Sequence, residues 1–92
     1  SMGEDFGVDW FAVVIEALGM DEESFGEALE SSQSIAQLVE AQNVEAQVVI
    51  DAIIDAETAW LNDAVAAGDF TQEEADEWLA TLPEDAQSFV NE

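Results

Sequence analysis

The residues of this chain that can do chemistry are almost all carboxylates. Asp51 and Asp55 stand four apart, so on a helix they share a face. Glu73, Glu74, Asp76 and Glu77 crowd into five positions. Oxygen donors at such spacing can gather a hard cation such as calcium or magnesium, which makes these six residues the candidate metal ligands. The pattern is weak. No D-x-D-x-D-G loop with a distal Glu occurs, and carboxylates on a helix surface make poor cages.

Catalysis has less to draw on. Histidine, cysteine, lysine, arginine and tyrosine are all absent, which removes most general bases, nucleophiles and electrophilic stabilisers. A carboxylate pair can still move protons, but it needs a cleft that raises one pKa, and a helical domain of 92 residues has little room for one. No catalytic residue and no cofactor site is expected, and the chain reads as a non-enzyme.

The charge inventory bounds the partners. The chain carries 23 Asp and Glu against no Lys, Arg or His, a formal net charge of −23. A domain of this size ordinarily holds on the order of 10 basic residues, so their complete absence points to a sequence designed, edited or chosen for that property; a halophile-like bias is the other reading. Nucleic acid is excluded as a partner, because phosphate neutralisation by Lys and Arg supplies most non-specific affinity. What the charge admits is a basic protein surface, with a DNA mimic as the special case, or divalent cations.

Apolar residues recur at helical spacing almost throughout, and 49% of the chain is hydrophobic, so the composition collapses into a globule in spite of its charge. The expectation is an all-α, compact bundle of five to six helices. The first helix runs from about Val8 to Leu18 with Phe11, Val14, Ile15 and Leu18 on one face, and Gly19 stops it. Asp21 caps a second, short helix carrying Phe25, Ala28 and Leu29. Ser34 caps a third with Ile35, Leu38 and Val39 inward, ending at Asn43, which tolerates the left-handed conformation.

The fourth helix, about 45–67, is long and central, with a stripe of Val48, Val49, Ala52, Ile53, Ala56, Ala59, Trp60 and Ala64 widened by Ile50, Ile54, Leu61 and Val65, and Gly68 as its stop. Thr71 and Glu74 form a capping box for a fifth helix bearing Ala75, Trp78, Leu79 and Leu82, with Phe70 placed to staple onto Ala75. Pro83 fits the first position of a sixth, with Phe89 and Val90 inward. Trp10, Trp60 and Trp78 all lie at core-compatible spacing.

The stretch SQSIAQLVEAQNVEAQVVIDAI, residues 32–53, has the layout of a helix-turn-helix. Its second helix, however, would offer Glu45, Gln47, Asp51 and Asp55 to a polyanion, so the pair reads as two packed helices and not as a DNA reader.

Residues 3–92 form a single domain on this reading, and Ser1-Met2 looks like a tag remnant. No run approaches the roughly 18 apolar residues of a membrane span, and no positively charged leader is present. A net charge of this size goes with a monomeric or weakly associating bundle. It also predicts that stability rises with salt, and rises as pH falls from 7 toward about 5 while crowded carboxylates take up protons.

From Leu18 to Val90 the chain resembles an uncharacterised bacterial helical domain of actinobacterial and Chloroflexi-type proteins. The resemblance rests on LGM at 18–20, SFGEALESSQSIAQLVEAQNV at 24–44, VVIDAI at 48–53 and LNDAVAAGDFTQEEADEWLATLPE at 61–84, the last with an AGxxTQEEAD-like block. It implies a compact helical domain, often attached to cell-envelope or secreted proteins, and no catalytic residue. Three positions depart from the pattern: Ser32 and Asn43 stand where Gly is usual, and Glu45 stands where an Asp caps the long helix. The basic residues scattered through such helices are missing here.

Overall fold

Four of the helix ends are built the same way. In each, an amide two or three residues past the helix reaches back five positions, and the amide before it reaches back three: Met20 to Ile15 and Gly19 to Glu16, Gln33 to Ala28 and Ser32 to Leu29, Val44 to Val39 and Asn43 to Glu40, Asp69 to Ala64 and Gly68 to Val65. This is the Schellman arrangement, and it needs a left-handed residue at the turn. Those residues are Gly19, Ser32, Asn43 and Gly68, with φ of 68°, 70°, 58° and 84°. Backbone geometry therefore satisfies the terminal carbonyls that Lys and Arg would otherwise serve.

The computed structural model describes residues 7–91, so Ser1-Met2 lies outside the described residues. Five helices follow in order: α1 (Trp10–Leu18), α2 (Glu22–Glu30), α3 (Ile35–Ala41), α4 (Ala46–Ala66) and α5 (Gln72–Asn91), with no strand among the described residues. The body measures 41 × 26 × 19 Å.

Each start has a chemical cause. The Asp9 carboxylate accepts from the Phe11 and Ala12 amides, so α1 begins at Trp10 and not at Val8. Asp21 accepts from the Ser24 amide at 2.7 Å. Ser34 and Gln37 close a capping box, as do Thr71 and Glu74. Glu45 precedes α4 without a side-chain cap bond.

Two of these ends lead to measurable outcomes. At Ser32, which makes no side-chain hydrogen bond among the described residues, the left-handed backbone strains an L-residue. Ser32→Gly is expected to stabilise the fold by about 0.5–1 kcal/mol, read as a shift in the urea midpoint at unchanged m. At Asp21 the bonds from Ser24 hold the carboxyl below its ordinary 3.8. A lowered folded pKa gives stability that is present above the unfolded value and lost as pH falls through the folded one. Asp21→Asn should keep the cap while flattening that acid limb, so the stability difference from wild type shrinks below about pH 4.

The core gathers Val14 and Leu18 of α1, Phe25 of α2, Ile35, Leu38 and Val39 of α3, Val49, Ile50 and Ile53 of α4, and Ala86 and Val90 of α5. Leu61, Ala64, Ala75 and Leu82 are buried farther along α4 and α5. The connection between those two helices is closed by the rings of Trp60, Phe70 and Trp78, with centroids 5.6–5.9 Å apart. All three tryptophans are half-buried.

The structure departs from the periodicity in three places, one of them Phe11, which is 45% exposed although it lies on the expected inner face of α1. Pro83 does not open a sixth helix but sits inside α5. Its ring removes an amide donor, yet the stripe of Ala75, Leu79, Leu82, Ala86 and Val90 runs straight across it, and Leu82, Ala86 and Val90 are essentially inaccessible. Burying that stripe against α4 offsets the roughly 3 kcal/mol an interior proline costs. On α4, Val48 is 54% exposed and Ala59 is exposed, although both lie on the expected stripe. Apolar residues cover so much of this helix that its period alone does not choose the face.

Candidate functional site

The face that α4 does bury is centred on a residue absent from every apolar pattern. Glu57 stands four positions after Ile53 and four before Leu61, both fully buried, and is itself 1% exposed. Its Oε1 accepts two hydrogen bonds, from the Val8 amide at 3.1 Å and from Trp10 Nε1 at 3.0 Å. Its Oε2 has no hydrogen-bond partner among the described residues.

A buried carboxylate is ordinarily paired with a cation. This chain has no Lys, Arg or His to offer one. Two N–H dipoles take that part, one from Val8 just before α1 and one from Trp10, the first residue of α1. The contact ties the segment around the start of α1 to the middle of α4, 47 and 49 positions away in the chain.

Gly7 completes the arrangement. It has φ +94°, and a Cβ built there would sit 2.8 Å from Glu57 Oε2 and 2.9 Å from Oε1. Gly7→Ala must displace either the carboxylate or the segment, and also pays for the left-handed backbone, so a loss of about 1–3 kcal/mol is expected. Chemical denaturation followed by tryptophan emission checks both parts, because Trp10 reports on the contact.

Beside this node, α1 and α4 leave an open cleft of about 350 Å³ lined by Val13, Glu16, Ala17, Ala52 and Ala56. Small side chains make it, since Ala17, Ala52 and Ala56 fill little of the space between the two helices.

None of the six candidate ligands lines this cleft, and they divide between α4 and α5. Asp51, Asp55, Glu73, Glu74, Asp76 and Glu77 are all exposed. Asp51 accepts from Gln47 Nε2 at 2.8 Å, Asp76 from Gln72 Nε2 at 2.9 Å, and Glu74 is occupied in the α5 capping box. Among the described residues no group of three or more carboxylates converges to hold a metal ion, so the structure does not bring these six together as a cation site. They act as caps and solvated faces.

Of the 23 acidic residues, Glu4, Asp5 and Glu92 lie outside the described residues, and nineteen of the remaining twenty are exposed, on every helix and in the turns. No helix of the described residues is long and apolar enough to cross a membrane.

Glu57 is the residue that sequence reasoning missed, and a signal for it existed. Counting by fours and threes from Ile50 through Ile53, Leu61 and Ala64 lands on position 57. The cleft had no comparable signal, because it exists only where α1 lies along α4. Comparison with protein-family models, with characterised proteins and with solved structures gives no match to this chain.

Proposed function

We propose that this chain is a non-enzymatic helical module that engages basic protein surfaces through its field. The observation that carries the reading is the exposure of nineteen described carboxylates, on all five helices and in the turns, with no basic side chain to neutralise them. A surface of one sign raises the local concentration of oppositely charged partners and speeds their association. The dispersal of the acids over every helix favours a general basic partner over mimicry of a DNA backbone, which would align them along one face. In this reading the α3–α4 pair is two packed helices without a nucleic-acid role. The resemblance to a bacterial envelope-associated domain is compatible with it and adds no residue role.

The test is binding of an arginine-rich peptide at 150 mM salt by the folded chain and by an unfolded chain of equal length and net charge. A folded surface should bind about tenfold tighter, with affinity falling steeply as salt is raised. Equal affinity for the two chains would overturn the reading, because the fold would then contribute nothing.

A further inference from the structure

We propose that the cleft between α1 and α4 is a docking groove for a cationic amphipathic helix of a partner protein. This rests on the reading of the chain as an acidic interaction module, and it names where a structured partner sits and what chemistry that partner has. On α4 the row Val48, Ala52, Ala56, spaced by four, turns away from the core. Val48 is 54% exposed, and Ala52 and Ala56 line the cleft. On α1 Val13 and Ala17 form the opposite wall.

One position before Ala52 and Ala56 stand Asp51 and Asp55, and one position before Ala17 stands Glu16, which itself lines the cleft. The cleft thus carries one carboxylate on its α1 wall, and two exposed carboxylates stand next in sequence to its α4 floor. Small floor residues let a third helix approach closely, and the open volume of about 350 Å³ accommodates bulky aliphatic side chains from it. Such contacts are those of a helix laid in a groove.

Charge decides among the occupants. A second copy of this chain would bring another 23 carboxylates and no basic side chain to the acidic rim, so self-association at this face is opposed. A helix with Leu or Met on one face and Lys or Arg on both flanks meets the floor and the rim together. Desolvating an apolar floor beside three carboxylates is favourable when the occupant supplies the cations.

The experiment uses a synthetic peptide with a leucine face and lysine flanks, and a scrambled isomer of identical composition that cannot form that face. Titrated into the full chain at 150 mM salt, the amphipathic peptide should bind at least tenfold tighter than the isomer. Its amide shift changes should concentrate at Val13, Glu16, Ala17, Ala52 and Ala56. Ala56→Trp should weaken it about tenfold, whereas Ala80→Trp, on an exposed position of α5, should leave it unchanged. Ala52→Gln, a smaller polar change in the same floor, serves if the tryptophan variant fails to fold.

Equal binding of the two isomers, or shift changes spread over all helices, would overturn the groove. If both isomers still bind the folded chain better than the unfolded charge-matched chain, the general module reading survives that result. If neither does, the module reading itself falls.

Discussion

Glu57→Ala is expected to cost about 2–4 kcal/mol at pH 7. The substitution leaves the Val8 amide and Trp10 Nε1 without their acceptor, at about 1–3 kcal/mol for each donor that stays buried. It also empties a fully enclosed site between Ile53 and Leu61. Removing the charge works in the opposite direction, since an unpaired carboxylate is costly to bury. Glu57→Gln separates the two contributions: it keeps a carbonyl oxygen where Oε1 accepts and replaces the unpartnered Oε2 with an amide. Its stability should lie within about 1 kcal/mol of wild type or above it. Urea unfolding of the three proteins, followed by circular dichroism and tryptophan emission, makes the comparison. An alanine variant as stable as wild type would show that the latch between the N-terminal segment and α4 does not hold the fold.

The second large effect is that of salt. In 0.01 M salt the Debye length is about 30 Å, comparable with the body of the molecule, and in 1 M it is about 3 Å. With dimensions of 41 × 26 × 19 Å, each carboxylate therefore feels most of the others in dilute buffer and only its neighbours at high salt. Folding draws the twenty acidic residues of the described segment into that volume from an expanded chain, so repulsion disfavours the native state and screening restores stability. No side-chain ion pair exists to be weakened in exchange, because the chain lacks any basic side chain. The melting temperature should rise by about 10 °C or more between 10 mM and 1 M NaCl, equivalent to roughly 2 kcal/mol for a domain of this size. Calcium at matched ionic strength should give the same rise as sodium. A larger rise at calcium concentrations too low to screen would return Asp51, Asp55, Glu73, Glu74, Asp76 and Glu77 to consideration as a cation site, and a flat melt would remove self-repulsion from the account.

Much of the local structure was legible because its causes are local. Asp21, Ser34 and the Thr71/Glu74 box start helices through side-chain acceptors within three residues, and Gly19, Asn43 and Gly68 end them through a conformation their residue types favour. Ser32 adopts the same left-handed turn against its preference. The Schellman bonds from Ser32 and Gln33 hold it there, so only the departure from a glycine-bearing pattern hinted at it. Pro83 was misleading for the converse reason: its local cost is real, but the stripe from Ala75 to Val90 gains more by staying continuous.

By itself the sequence determined an all-helical chain, where most of its helices start and stop, the absence of any basic side chain, and a net charge of −23. Each of these follows from composition or from interactions spanning a few residues. Tertiary structure alone decided which face of α4 is buried, because that helix is apolar on most of its circumference and only its neighbours α1 and α5 select a side. The same packing placed Glu57 beneath Gly7, Val8 and Trp10, and left Val13, Ala17, Ala52 and Ala56 facing an open cleft. Residues some fifty positions apart in one case and about forty in the other must meet for these features to exist, and no short-range periodicity encodes such a meeting.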